Sequence, residues 1–262
     1  MSYIKLINDM RWSFSRLHAY EQCPYLFYLK YIEKREGESN YYAENGSCIH
    51  EVFEALLSDK ITVDECPEFY NQRYDLICET TKQSTMDSTY EKCIDYLCEI
   101  ENIDKDRYEV LGVELKLEFK IGKYNFVGFV DLLLRDKKNN EILLIDHKQA
   151  NHFLKKDGSP LKNQLENFLS YKKQMYIYCK GIEDKLGLNV DKIIWHHFKD
   201  DGKTTVIPFN KEDYDKSIQW VVDTISCIKK DKIFECKKSF LMCSTLCDYR
   251  NDCEYKDEED EV

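Results

Sequence analysis

Two apolar segments separated by a short polar break constrain the fold of this chain more than any other feature of its sequence. The stretch FVGFVDLLLRDKKNNEILLIDHKQA covers residues 126–150, and each apolar segment contains one aspartate, Asp131 in the first and Asp146 in the second. Apolar runs that flank a polar turn predict a β-hairpin. Because an isolated ionised carboxylate is costly to bury in such a strand, the two aspartates point to a role beyond packing.

The register of this hairpin determines how its charged side chains meet. A turn centred on the KKNN segment places Asp131 directly opposite Asp146, with Cβ atoms about 4.5–5.5 Å apart. Lys148 then shares a face with Asp146, whereas His147 points to the other face. Two opposed carboxylates destabilise a strand pair unless a cation compensates them, and Mg²⁺ or Mn²⁺ suits carboxylate oxygens. In the alternative, the aspartates are solvated at a strand edge or paired with Lys148.

The segments around the hairpin alternate between helical and extended patterns. At 262 residues, of which 43% are hydrophobic, the chain can bury a substantial core. The order of helices, three antiparallel strands, helix, strand and helix predicts an α/β fold, a central mixed β-sheet flanked by helices. Helical spacing is present in residues 13–32, 46–60, 166–187 and 211–232, and strand patterns in residues 110–121, 124–136, 141–150 and 191–200.

The charge and hydropathy of the chain limit its partners. A formal charge of −11 does not indicate a general electrostatic grip on nucleic acid, although basic clusters occur at residues 153–164, 170–174 and 227–238. No apolar run approaches the roughly 18 residues that a membrane helix requires. The N-terminal segment lacks the basic-then-apolar order of a signal peptide. We therefore expect a cytoplasmic protein without membrane contact.

The sequence contains twelve cysteines, and most of them fall into two groups for which we predict different roles. Four of them lie within 18 residues at the C-terminal end, Cys236, Cys243, Cys247 and Cys253, and this density is typical of a metal site, including zinc. Disulfides are not expected in a cytosolic protein. Most other cysteines lie in apolar helical segments and are predicted to be small buried hydrophobes: Cys48, Cys66, Cys78, Cys93, Cys98, Cys179 and Cys227.

On these motifs the chain resembles the PD-(D/E)XK nuclease superfamily, specifically its RecB-like branch. The branch has a Gly-x-x-Asp strand followed by an Asp-x-Lys strand, matched here by Gly128–Asp131 and Asp146–Lys148. The segment GSCIHEVFE is similar to its Gly-x-x-x-His helix and contains His50. The segment QMYIY is similar to its Gln-x-x-x-Tyr motif, with Gln174 and Tyr178.

The resemblance implies a restriction-endonuclease-like core and a metal-dependent active site. It implies that Mg²⁺ or Mn²⁺ is held by His50, Asp131 and Asp146 together with the backbone carbonyl of His147. Lys148 would be catalytic with the two aspartates and would help to activate the attacking water.

Two further parts of the resemblance concern the substrate and an additional acidic position. Gln174 and Tyr178 are four residues apart on one helix face, and the resemblance implies that they position the DNA strand or the catalytic lysine. Glu114 matches a further acidic position of the branch, with Glu118 as the competing candidate.

The resemblance also implies a [4Fe–4S] cluster, since Fe–S clusters take four thiolates. In the iron–sulfur members of this branch, a Cys-Pro segment near the N-terminus, here with Cys23, joins a C-terminal trio, here Cys243, Cys247 and Cys253. The trio has the spacing Cys-x3-Cys-x5-Cys, whereas Cys-x2-Cys-x5-Cys is usual in the family. Structural zinc held by Cys236 and the trio is therefore the alternative.

Taken together, the resemblance implies an iron–sulfur nuclease of the CRISPR-adaptation or AddB-like type, or a phage-encoded relative, in a bacterial or phage-infected cell. Such proteins act as exonucleases on single-stranded DNA or DNA ends. The contrasting function is a catalytically quiet iron–sulfur module that binds DNA ends with a DNA-processing partner. We expect one nuclease domain over residues 1–262, with an N-terminal helical segment at 12–45, a core at 46–200, and the C-terminal helix, cysteine trio and acidic tail at 201–262.

Overall fold

The computed structural model describes residues 3–77 and 84–255, so Cys78 and the acidic tail beyond residue 255 lie outside the described residues. The chain divides into two compact units. The terminal unit comprises the described parts of Met1–Asn40, Lys120–Val127 and Ile218–Val262. The central unit comprises those of Tyr41–Phe119 and Gly128–Ser217.

Eight α-helices and five strands cover most of the described residues. Short 3-10 turns at Val63–Glu65 and Lys162–Gln164 and π-helical turns at Tyr28–Glu33 and Met242–Leu246 connect some of them. The helices are α1 Tyr3–Asn8, α2 Phe14–Gln22, α3 Pro24–Phe27, α4 Tyr41–Leu57, α5 Cys66–Ile77, α6 Ser84–Cys98, α7 Leu165–Leu186 and α8 Lys211–Lys230. The strands are β1 Tyr108–Ile121, β2 Tyr124–Asp136, β3 Glu141–Lys148, β4 Lys192–His197 and β5 Lys203–Pro208.

The strands form one mixed sheet in the order β1-β2-β3-β4-β5. β2 pairs with β3 and β4 pairs with β5 in antiparallel fashion, whereas β3 and β4 are parallel, with α7 between them in the sequence. The predicted α/β class with a mixed sheet is confirmed. The sequence pattern did not predict β5, because this short edge strand buries only one of its six residues fully and shows no apolar alternation.

The hairpin of β2 and β3 has the predicted register. Its ladder runs from Asp136 paired with Glu141 to Leu132 paired with Ile145. The next pair in this register is Asp131 opposite Asp146. Asn140 closes the turn with φ 61°, a left-handed conformation that asparagine adopts more readily than most residues. The four-residue polar break therefore sets the placement of both aspartates.

The core of the central unit forms on the predicted apolar stripe of α4. Ile49, Val52, Phe53 and Leu56 are buried and pack with residues of α5 and α6 in one cluster.

On another helix, α7, Gly181 lets the backbone approach β1, because a Cβ atom at this position would lie 2.8 Å from Leu117 and Phe119 side-chain atoms. Close helix–sheet packing at α7 thus depends on a missing side chain.

The terminal unit contains the cysteines of both chain ends that were predicted to hold a cluster. Ser13 caps α2, since its side chain accepts a hydrogen bond of 3.3 Å from the Arg16 amide. Residues from both chain ends also share backbone hydrogen bonds, as in the 2.7 Å contact from the Glu38 amide to the Asp248 carbonyl. The buried members of its aromatic and aliphatic cluster are Ala19, Tyr25, Leu26, Leu29 and Tyr249.

The scattered cysteines follow the prediction in part. Cys48, Cys66, Cys93 and Cys179 are buried, as expected for small hydrophobes. The prediction is wrong for two residues on helices, Cys98 at the end of α6 and Cys227 in α8, which face solvent.

Within residues 3–77 and 84–255, no helix combines the length and the apolar character needed to cross a membrane.

We expect Gly181→Ala to destabilise the protein by about 1–3 kcal/mol, the usual range for overpacking a well-packed core. Leu117 and Phe119 border the position from β1, so the new methyl group meets two side chains. Urea denaturation measures the effect. Gly46→Ala in α4 is the matched control, because its nearest neighbour lies 3.7 Å away and alanine favours a helix over glycine. A Gly181→Ala variant as stable as this control would contradict the packing argument.

Candidate metal centre and cysteine cluster

Three side chains from three elements form a group that can hold a metal ion. His50 comes from α4, Glu114 from β1 and Asp131 from β2, and their ligand atoms all lie within 4.8 Å of one another. His50 Nδ1 lies 3.6 Å from Asp131 Oδ2 and 3.7 Å from Glu114 Oε1. One imidazole and two carboxylates are suitable donors for Mn²⁺ and, through their oxygens, for Mg²⁺. The donor set therefore fits a divalent cation.

Glu114 reaches this group from an unusual backbone conformation. Its φ angle is 44°, a value that a non-glycine residue rarely adopts and that interrupts the regular pleat of β1. Residues held in such sparsely populated backbone conformations cluster at active sites. Glu118, the competing candidate, is half exposed and pairs with Lys116 at 2.7 Å. Of the two glutamates, the geometry brings Glu114 to the candidate ligands.

The peptide groups of His147 connect two of the candidate ligands. The His147 amide donates a hydrogen bond of 2.7 Å to Asp131 Oδ2, and its carbonyl oxygen lies 3.2 Å from His50 Nε2. The predicted backbone ligand is thus adjacent to the group. Burial lowers the pKa of His50, but the nearby carboxylates of Asp131 and Glu114, 3.6 and 3.7 Å from its Nδ1, outweigh this effect, so the pKa is raised. Cation binding therefore competes with protonation of His50.

Asp146 and Lys148 form a buried ion pair at the end of β3. Lys148 Nζ lies 2.7 Å from Asp146 Oδ2 and 4.6 Å from the ring centroid of Tyr171. Burial raises the pKa of Asp146 to about 6, against the opposing effect of the Lys148 ammonium. Burial alone would lower the pKa of Lys148, but the Asp146 carboxylate outweighs it, so the pKa lies above its ordinary value. Each group therefore favours the charged form of the other.

The structure thus brings most of the predicted residues together, but their grouping differs from the prediction. His50 and Asp131 come together as expected, Glu114 joins them, and Asp146 contacts Lys148 outside this three-residue group. The sequence interpretation missed Tyr171, which contacts Lys148. Helical spacing on α7 could have found it, because Tyr171, Gln174 and Tyr178 recur at i, i+3 and i+7 on one face.

Two of the sequence motifs meet at one steric contact. A Cβ atom on Gly128 would lie 2.6 Å from the Tyr178 ring, so the Gly-x-x-Asp strand accommodates the Gln-x-x-x-Tyr helix only with glycine here. The Gln174 side-chain amide donates a hydrogen bond of 3.0 Å to the Tyr178 hydroxyl. Gln174 Oε1 is buried and has no hydrogen-bond partner among the described residues. The two residues predicted to position DNA therefore contact each other directly.

All five cysteines of the predicted cluster region line one small cavity in the terminal unit: Cys23, Cys236, Cys243, Cys247 and Cys253. Backbone amides point at three of these sulfurs. The amides of Lys237 and Ser239 lie 3.4 and 3.5 Å from the sulfurs of Cys23 and Cys243, and the amide of Tyr249 lies 3.4 Å from that of Cys247. Hydrogen bonds to sulfur are a means by which proteins adjust iron–sulfur clusters. The cavity therefore fits a thiolate-bound group.

The spacing of the sulfurs can be compared with that of a tetrahedral zinc site. Tetrahedral zinc with Zn–S bonds near 2.3 Å brings its sulfurs to about 3.8 Å from one another. Cys23 and Cys236 are 4.0 Å apart, but in residues 3–77 and 84–255 no cysteine belongs to a three-residue ligand group within 4.8 Å. The five sulfurs therefore line a cavity without forming a compact tetrahedral group among the described residues.

The comparison with protein families identifies the chain. The family model described as the PD-(D/E)XK nuclease superfamily matches residues 11–254. The chain belongs to the PD-(D/E)XK nuclease superfamily. In this PD-(D/E)XK chain, Asp131, Asp146 and Lys148 are the residues that the sequence resemblance placed at the signature positions. The predicted superfamily is thus confirmed.

A solved structure agrees with the fold. A crystal structure of a protein named “Putative exonuclease” from Eubacterium rectale is 12% identical, with 94% of this chain and 88% of that chain covered and a TM-score of 0.55. A crystal structure of SSO0001 is 17% identical, covers 78% of this chain and 95% of that chain, and has a TM-score of 0.34, too low to carry an argument. No curated protein matches the chain.

We expect Glu114→Gln to weaken Mn²⁺ binding by roughly tenfold or more, a loss at least as large as that from altering an outer-shell contact. The amide keeps the shape of the side chain but removes the charge beside His50 and Asp131. Isothermal titration with Mn²⁺ measures the change. Glu118→Gln on the same strand is the control and should bind as the wild type does, since Glu118 pairs with Lys116. Equal losses in both variants would refute the assignment.

We expect Gly128→Ala to destabilise the protein by about 1–3 kcal/mol through its clash with the Tyr178 ring. Tyr178→Ala alone should also destabilise, because it leaves a cavity. In the double variant, the second substitution removes the ring that the new methyl group meets, so the two losses should be less than additive. Denaturation midpoints of the four proteins measure this coupling. Strict additivity would show that the two motifs do not contact each other.

Proposed function

We propose that this PD-(D/E)XK chain is a metal-dependent DNA nuclease that hydrolyses phosphodiester bonds, acting as an exonuclease on single-stranded DNA or DNA ends. The observation that carries the proposal is the buried Asp146–Lys148 ion pair, at 2.7 Å, on the strand next to the one that supplies Asp131. Burial of two charges is expensive and does not by itself stabilise a fold. A chemical role accounts for both residues.

Each residue of the site has a part in this proposal. His50, Asp131 and Asp146, the carbonyl of His147 and in addition Glu114 would hold Mg²⁺ or Mn²⁺. When bound, the ion supplies positive charge to the phosphate oxygens and lowers the pKa of a bound water. Lys148 remains protonated through its contact with Asp146. Its ammonium would donate to the attacking water or to a phosphate oxygen and so orient the water for attack.

Gln174 and Tyr178 are proposed to position the DNA strand. The Gln174 carbonyl oxygen is buried and lacks a partner among the described residues, so it has hydrogen-bonding capacity left for a substrate group or for Lys148. Burial raises the pKa of Tyr178 to about 12. The tyrosine therefore keeps its hydroxyl proton at neutral pH and can donate it to a phosphate oxygen.

The terminal unit is proposed to hold a [4Fe–4S] cluster through Cys23, Cys243, Cys247 and Cys253. The amides directed at three of these sulfurs support this ligand set. Burial raises the pKa of Cys236 to about 12, so this fifth cysteine stays a protonated thiol at neutral pH in the metal-free protein. A cluster here would join the two ends of the chain and order both.

The finer proposals on substrate and setting rest on the branch resemblance. They are exonuclease action on single strands or ends, in the cytoplasm of a bacterium or a phage-infected cell, within a CRISPR-adaptation or AddB-like context that includes a DNA-processing partner. The name of the Eubacterium rectale protein, “Putative exonuclease”, supports the mode of cleavage. The retained Asp146–Lys148 pair favours catalysis over a quiet DNA-end-binding module.

We expect Lys148→Met to reduce cleavage of labelled single-stranded DNA in Mn²⁺ by at least about a hundredfold, the scale of losing a positioned proton donor. Lys192→Met is the control, since Lys192 lies on the same sheet and pairs with Glu141 at the surface. It should cleave at the wild-type rate. Wild-type levels of cleavage by Lys148→Met would remove Lys148 from the active site. A wild type that binds DNA ends without cutting would support the binding module instead.

We expect anaerobically purified protein to contain iron and acid-labile sulfide in equal amounts. Cys243→Ala should lose most of both, because a cluster needs four thiolates. Cys227→Ala, which alters an exposed cysteine of α8, should retain them. Cys236→Ala identifies the fourth ligand, since retention of the cluster leaves Cys23 in that role. Stoichiometric zinc without sulfide in the wild type would replace the iron proposal.

A further inference from the structure

The side chain of His147 belongs to a largely buried hydrogen-bonded chain behind the candidate metal centre. Its Nδ1 lies 2.8 Å from Nδ1 of His196 on β4, and Nε2 of His196 lies 2.7 Å from the hydroxyl oxygen of Tyr96 on α6. The ring of His147 is only 6% exposed. The three side chains therefore link β3, β4 and α6 on the side of β3 away from Asp146 and Lys148.

Phe53 packs this chain against the helix that carries His50. Its ring centroid lies 4.2 Å from that of His147 and 5.4 Å from that of His196. Phe53 follows His50 by three residues on α4, so the two side chains share a helix face. The position of the His147 ring is thus coupled by packing to the helix that supplies a candidate metal ligand.

The hydrogen bonds of this chain can run in either of two directions. A neutral imidazole donates from one nitrogen and accepts at the other. Tyr96 can donate to His196 and His196 to His147, or the whole chain can run in the reverse direction. Either direction leaves His147 Nε2 unpaired among the described residues.

An imidazole at position 147 is not explained by stability alone. A buried nitrogen without a hydrogen-bond partner is destabilising, and an apolar ring in the same position would avoid this penalty. The imidazole gains instead a directional contact with His196 that fixes the rotation of its own side chain. Fixing the side chain also restrains the peptide groups on either side of it.

Those peptide groups are the ones that contact the candidate metal ligands. The His147 amide donates to Asp131 at 2.7 Å, and its carbonyl oxygen lies 3.2 Å from His50 Nε2. We propose that Tyr96 and His196 are positioning residues that act through His147, holding its backbone so that Asp131 and His50 keep the geometry a divalent cation requires. The inference rests on the proposed function in that it concerns the same metal centre. Neither residue belongs to the group of candidate ligands His50, Glu114 and Asp131.

The test compares matched variants of two neighbouring histidines on β4. His196→Phe keeps a ring but removes both hydrogen bonds of the chain. His197→Phe is the control, because His197 is also buried and hydrogen-bonded, to Thr205 and to the Ala150 carbonyl, but does not contact His147. Mn²⁺ affinity is measured by titration, and thermal unfolding is measured in parallel to separate binding from stability.

We expect the Mn²⁺ dissociation constant to rise about tenfold in His196→Phe, the scale of losing an outer-shell contact, and less than twofold in His197→Phe. Tyr96→Phe, which removes only a hydroxyl group, should give a smaller rise in the same direction. His196→Gln, which retains a donor and an acceptor, should restore most of the affinity. Equal affinity losses in His196→Phe and His197→Phe, or none in either, would overturn the proposal.

A second measurement does not depend on metal or activity. In the metal-free protein, the amide proton resonance of His147 reports its hydrogen bond to Asp131 and should shift in Tyr96→Phe, a variant with little reason to unfold. An unchanged resonance together with unchanged Mn²⁺ affinity would overturn the positioning role and leave the nuclease proposal intact. Conversely, a wild type that binds Mn²⁺ but cuts no DNA would refute the nuclease proposal alone.

Discussion

The hydrogen bond from the His147 amide to the Asp131 carboxylate, 2.7 Å long, ties the two central strands together at the point where the candidate chemistry lies. It forms only because β2 and β3 pair in a register that places Asp131 opposite Asp146. A shift of one residue would turn every side chain of β3 to the opposite face. The ion pair of Asp146 with Lys148 would then move away from Asp131. The remaining contacts of the metal centre depend on this register.

Packing contacts and local backbone strain complete the centre. The buried stripe of α4 brings His50 to within 3.6 Å of Asp131. Glu114 itself has a left-handed backbone conformation within β1. This conformation costs free energy and persists only where the surrounding structure holds it. Glycine at position 128 allows the Tyr178 ring to approach β2. The candidate site therefore depends on the packing of α4, on the strained backbone of Glu114 and on the absence of a side chain at Gly128.

Much of this arrangement could be predicted from residue order, because local patterns carry it. The polar KKNN break fixed the hairpin register, and the apolar stripe of residues 46–60 fixed the face of α4 that is buried. The choice between Glu114 and Glu118 could not be made in this way. Both glutamates lie in the same strand four residues apart, and the left-handed φ angle of Glu114, which no sequence pattern predicts, distinguishes its backbone from that of Glu118. The edge strand β5 was not predicted, because only one of its six residues is fully buried.

The sequence by itself determined the superfamily, the mixed sheet and the identity of most candidate site residues, since these follow from motif order and from strand and helix periodicity. Tertiary structure alone decided which side chains meet. It grouped Glu114 with His50 and Asp131, set Tyr171 beside Lys148, and gathered five cysteines around one cavity. The physical reason is that periodicity specifies the direction of a side chain within its own element. Distances between elements are set by the packing of whole surfaces, which depends on the entire chain.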